Sequence, residues 1–266
     1  MTLRKNLSRG LLGVFALLVV LFLIAPTVIV IITSFGSTRS LAFPPKGFSL
    51  HWYGNVFTSE WMHPIFTSLK VAVGASVLAT LLGTCAALAI VRGRFPGRRA
   101  VQALTFAPLI VPTVIVAIGI YAVFSRWHLI GSIWGLVFAH TALGIPFVVV
   151  VVSASLQTLD PMLDRASASL GAGRFTTFAR VTLPLILPAV LTGAVLAFVT
   201  SLDEVVIALF LTTPDVNTLP VHIWATLQDF IDPTIAAISG LLFAITALAL
   251  ASTFALRRKA EVHSDL

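Results

Sequence analysis

Six apolar runs, each long enough to cross a bilayer as a helix, leave this chain few ways to fold. They cover about residues 11–32, 66–91, 101–124, 133–155, 185–212 and 235–256. About 20 residues at 1.5 Å each match the ~30 Å hydrocarbon layer. Only 10% of the residues are charged and 58% are hydrophobic, whereas a soluble domain carries about a quarter charged residues. The expectation is an all-α membrane protein with six transmembrane helices. The first run exceeds the roughly 7–15-residue apolar core of a signal peptide, so it is expected to stay as an uncleaved helix kinked at Pro26. Pro108 and Pro112 fall inside the third run, which is expected to form one span.

Charge placement gives the topology. Arg4, Lys5, Arg9, Arg92, Arg94, Arg98, Arg99, Arg165, Arg174, Arg180, Arg257, Arg258 and Lys259 fall on one side of the six-span arrangement. Only Arg39, Lys46, Lys70 and Arg126 lie on or near the other side. Basic residues concentrate on the cytoplasmic side of membrane proteins, which predicts that both termini are cytoplasmic. The net charge of +7 is therefore a topology signal and gives no support for nucleic-acid binding. The lone Cys85 rules out an internal disulfide and a Cys-based zinc site, and its small neighbours suggest burial. No histidine set has metal-ligand spacing, and no phosphate-cradling glycine loop is present, so no metal, cofactor or nucleotide site is expected in this chain. Nor does any nucleophile–base set point to an enzyme.

Between these spans the chain places a few distinctive segments. Residues 33–64 are turn-rich, and Trp52, Tyr53, Phe57 and Trp61 suit a membrane interface. Gly74, Ala79, Gly83 and Ala87 form a small-residue seam on the second span, where another helix can approach closely. Residues 160–188 are polar yet look built to fold. Asp160 is expected to cap a helix opening at Pro161, Gly171 and Gly173 to end it, and a second short helix to start at Arg174 with Phe175, Phe178 and Val181 on one face. The fifth span carries Asp203 and Glu204, adjacent carboxylates at a depth where each charge costs about 2.5–3.5 kcal/mol. They are read either as a cation-attracting site on a transport path or as structural glue. His140 on the fourth span is a candidate partner, and a satisfied core histidine is the plainer reading.

The segment around Gly171 resembles the cytoplasmic signature of inner-membrane permease subunits of ATP-binding-cassette (ABC) importers. That signature runs Glu-Ala-Ala, a spaced glycine, then an aliphatic residue, one residue and Leu-Pro. Here it reads Arg165-Ala166-Ser167, Leu170-Gly171-Ala172, Phe178, and Val181-Thr182-Leu183-Pro184. Arg165 stands where the family has glutamate, and Ser167 where it has the second alanine. Residues 43–53, the run 201–206, Phe210, and Thr218 to Pro220 resemble the spermidine/putrescine branch of that family.

The resemblance implies a type I ABC importer permease fold in a bacterial inner membrane. It implies an N-terminal helix and extracytoplasmic segment over residues 1–63, a core over 64–254 with a coupling loop at about 156–183, and a cytoplasmic tail over 255–266. Asp164, Arg165, Ala166, Ser167, Leu170, Gly171, Ala172, Phe175 and Phe178 would engage the ATPase, while Asp203 and Glu204 would line the path of a small cationic solute. The implied partners are a second, different permease, two ATPase subunits, an extracytoplasmic solute-binding protein and membrane lipid. The same importer class for iron, phosphonate or an opine-like compound is the alternative. A secondary carrier using Asp203 and Glu204 as proton relays is another, although the two halves of the chain do not repeat each other as in many such carriers.

Overall fold

A computed structural model describes residues 2–245, with side chains from residue 12 onward. The helices are α1 (Thr2–Ser34), α2 (His51–Asn55), α3 (Ser59–Arg92), α4 (Arg98–Ile110), α5 (Thr113–Arg126), α6 (Ile133–Thr158), α7 (Met162–Ser169), α8 (Arg174–Thr177), α9 (Leu183–Leu202), α10 (Val206–Leu211) and α11 (Leu219–Asp229). A further helix, α12, covers Thr234–Ile245. There is no β-sheet among the described residues, only an isolated bridge between Gly36 and Phe48. The described residues fall into two compact units, one of residues 63–222 and one of those before 63 together with those after 222.

In the unit of residues 63–222, α6 is the central helix. One end of it joins Val148, Val149, Val152 and Leu156 to Ala79, Ala87 and Ile90 of α3 and to Ile186, Val190 and Ala197 of α9. Its other end joins Leu136, Val137 and Ala139 to Val71, Ala117, Ile207 and Ala208. The small-residue seam makes these contacts close. A Cβ on Gly83 would lie 2.7 Å from Val148 Cβ, and one on Gly74 3.0 Å from a Val137 methyl. Ala79 and Ala87 are fully buried. Cys85 turns away from the seam and is exposed, contrary to the expectation of burial. On a lipid-facing helix the outer stripe is as apolar as the core, so composition does not separate the two faces.

Two expected spans are broken. The third run bends by 111° between α4 and α5, because Pro112 has no N–H to continue the helical ladder and Val111 before it is extended. The fifth run starts earlier than expected and stops sooner. Arg174–Leu202 is one continuous span, interrupted by a π-helical turn over Phe178–Thr182. There the Leu183 N–H reaches back to the Phe178 carbonyl, which accommodates Pro184 just beyond. The second short helix expected at Arg174 is therefore the foot of this span, and its aromatic face does not form: Phe175 is 82% exposed and Thr177 and Thr182 are buried instead. At the far end the helix stops at Leu202 and resumes as α10.

Within the other unit, the segment after α1 is fastened by side chains. Trp52 Nε1 donates to the Gly36 carbonyl at 2.8 Å, and Tyr53 Oη meets Ser34 Oγ at 2.7 Å. Gly240 on α12 lets Tyr53 approach, since a Cβ there would sit 3.0 Å from its hydroxyl. Trp52 and Trp61 are thus buried packing residues, whereas a membrane-interface role was expected. The helix α1 runs through Pro26, and its apolar side chains from Leu12 to Val30 are largely exposed. The sixth expected span, 235–256, starts as α12. Its remainder and the tail, with Arg257, Arg258 and Lys259, lie outside the described residues.

Candidate functional site: an acidic cavity and a polar knob

The two helix breaks meet at a cavity of about 460 Å³. Pro108, Leu109 and Thr113 from the α4–α5 bend form one wall, and Leu143 and Phe147 of α6 another. Val199, Thr200 and residues 203–206 from the α9–α10 break complete it. Irregular backbone at membrane depth is tolerated where it lines such a space.

The break separates the two carboxylates into different jobs. Glu204 is 8% exposed, and its carboxylate accepts the Ile207 N–H at 2.9 Å and the Ala208 N–H at 3.0 Å. It caps α10, satisfying donors that a fresh helix start leaves orphaned. Asp203 ends α9 and is exposed at the cavity. Among the described residues no cation pairs with either carboxylate; the one ion pair there is Arg92–Asp164. His140 does not pair with them. It is 2% exposed, and its Nδ1 meets Ser201 Oγ at 2.8 Å, tying α6 to the last turn of α9.

At the other end of α6, residues 160–182 form the knob. Asp160 caps α7 as expected, its carboxylate accepting the Met162 N–H at 2.8 Å. At the far end Ala172 N–H bonds to Ser167 O (3.1 Å) and Gly171 N–H to Ala168 O (3.0 Å), with Gly171 at φ +81°. This is the paired closure that a left-handed residue permits. Gly173, expected to share that role, has φ −69° and instead precedes α8.

Of the residues singled out in the knob, Ser167 is turned inward onto Thr177 (3.0 Å). Asp164 is drawn to Arg92, 2.7 Å away. Ala172 and Phe178 are half-buried, while Arg165, Ala166, Leu170 and Phe175 are exposed. Leu170 reaches 88% exposure. Sequence reasoning missed Arg92 as a member of this site. The sequence groups it with Arg94, Arg98 and Arg99 as a topology signal, and its place just after the second apolar run is the signal that could have found it.

Over 241 residues the chain is 32% identical to the spermidine/putrescine transport system permease protein PotC of Escherichia coli, covering 90% of this chain and 91% of that one. It is 35% identical over 232 residues to the putrescine transport system permease protein PotI of Escherichia coli, with 83% and 81% covered. It is 34% identical over 198 residues to the molybdenum transport system permease protein ModB of Mycobacterium bovis, with 69% and 74% covered. The fold matches a chain in the crystal structure of a bacterial ABC transporter that imports the acidic polysaccharide alginate, with a TM-score of 0.67 at 15% identity over 96% and 95% of the two chains. The family model for the binding-protein-dependent transport system inner membrane component matches residues 79–261. The chain is therefore a multi-pass transport subunit of the inner membrane and belongs to the family of binding-protein-dependent transport system inner membrane components.

Proposed function

We propose that this permease subunit forms half of the path for putrescine or spermidine in an ATP-driven importer. The observation that carries the substrate class is the Asp203 carboxylate, exposed at the cavity and, among the described residues, in no ion pair with a cationic side chain. A desolvated amine needs such a partner, and a fixed anion without one repels an oxyanion cargo. The likeness to polyamine permeases over most of the chain supports the same reading. Asp203 supplies the attraction, and Glu204 holds the break open by capping α10.

The path is completed by a second, different permease. The core over residues 64–254 carries the cavity and the knob, and both termini and the knob face the cytoplasm, as the basic residues favour. Arg165, Ala166, Leu170 and Phe175 present the surface for the ATPase, on a knob shaped by Ser167, Gly171, Ala172 and Phe178. An extracytoplasmic binding protein delivers the solute. Closure of the ATPase pair pushes the knob and rocks the permeases as rigid bodies.

The test is uptake of labelled putrescine and spermidine into vesicles holding the complete transporter, with molybdate as the control cargo. Asp203→Asn is expected to reduce polyamine uptake about tenfold, the loss of roughly 1.4 kcal/mol of charge attraction. Wild-type polyamine uptake by this variant, or uptake of molybdate in place of polyamine, overturns the substrate reading.

A further inference from the structure

We propose that Arg92 and Asp164 form a strut that transmits displacement of the knob to α3, which makes both of them positioning residues and leaves Asp164 unavailable to the ATPase. This rests on the coupling reading above. Arg92 Nη1 donates to Asp164 Oδ1 at 3.0 Å and lies 2.7 Å from Oδ2. The same nitrogen donates to Thr182 Oγ1 at 3.2 Å. One guanidinium thus joins three elements: the last residue of the 34-residue α3, the first turn of α7, and the π-helical turn that begins the long span to Leu202.

The charges suit their places. A cation at the end of α3 and an anion at the start of α7 each complement the local helix dipole. Thr182 is only 2% exposed, so it holds the guanidinium at a fixed point of the core. The Arg92 and Asp164 side chains are 29% and 36% exposed, and an ion pair so wet adds little to stability. Its value is directional: α7 has no other side-chain ion pair among the described residues, so this link fixes how α7 is oriented against α3. Arg165, one position on, is exposed and is left to face a partner.

The test measures uptake and ATP hydrolysis on the same vesicles, using the complete transporter. Asp164→Asn and Arg92→Gln are each expected to lower solute imported per ATP hydrolysed roughly fivefold, the upper range for a half-exposed pair. ATPase subunits should still copurify with both variants. The exchange Arg92→Asp with Asp164→Arg should recover most of the ratio, and Asp164→Glu, which keeps the pair, should stay near wild type. Unchanged ratios in the single variants, loss of the ATPase on Asp164→Asn, or an exchange no better than the singles overturns the strut. Gly171→Asp is the separate control: a normal ratio there sinks the coupling reading itself, whereas uncoupling there with normal single variants sinks only the strut.

Discussion

Glu204 and Asp203 are adjacent and chemically alike, yet their substitutions should read out differently. Glu204→Ala removes acceptors from the Ile207 and Ala208 N–H groups and should destabilise the purified protein by about 1 kcal/mol, as loss of a helix cap does. The check is thermal unfolding in detergent, where Asp203→Asn should match wild type. Gly171 gives a second contrast. Space around its absent Cβ is open, so Gly171→Ala should lower stability only by the left-handed backbone strain of about 1 kcal/mol. A deeper loss in transport than in stability would locate a partner against that bare surface. The carboxylates stood out in the sequence because charge is rare in such a run. Their division of labour did not, because it depends on a helix break that local composition leaves unmarked.

At the scale of elements, the small-residue seam sets α3 close against α6. Gly83→Ala forces a Cβ to 2.7 Å from Val148 Cβ, and overpacking of this kind costs about 1–3 kcal/mol. Gly119 on α5 has nothing within 4 Å of its missing Cβ, so Gly119→Ala should be neutral. Comparing folded yields of the two variants in membranes checks this. Apolar length located the spans, and the Asp160 cap and the Gly171 stop were both readable from residue type. Breaks were harder to read. Proline at 26, 64, 146 and 188 lies inside helices that continue, while Pro112 turns the chain by 111°. Proline alone does not tell them apart; what marks Pro112 is the extended Val111 before it, a backbone state visible only in the fold. Arg92 was hidden for a similar reason, since its partners lie 72 and 90 residues away.

For the whole molecule, the expected topology is open to a direct check. In a Cys85→Ser background, Ser169→Cys should react with a membrane-impermeant maleimide only from the cytoplasmic face, and Phe57→Cys only from the outside. The reverse pattern would invert the proposed orientation. The bare apolar tip of the knob has a further consequence for how the cell handles this chain. Leu170 and Phe175 are 88% and 82% exposed, a form in which large apolar side chains invite promiscuous adhesion. If the knob is the ATPase-facing surface proposed above, a subunit made in excess of that partner carries a visible mark of being an orphan. Its lifetime in a pulse-chase experiment should shorten when the ATPase is depleted, and Leu170→Ser with Phe175→Ser should lengthen it again.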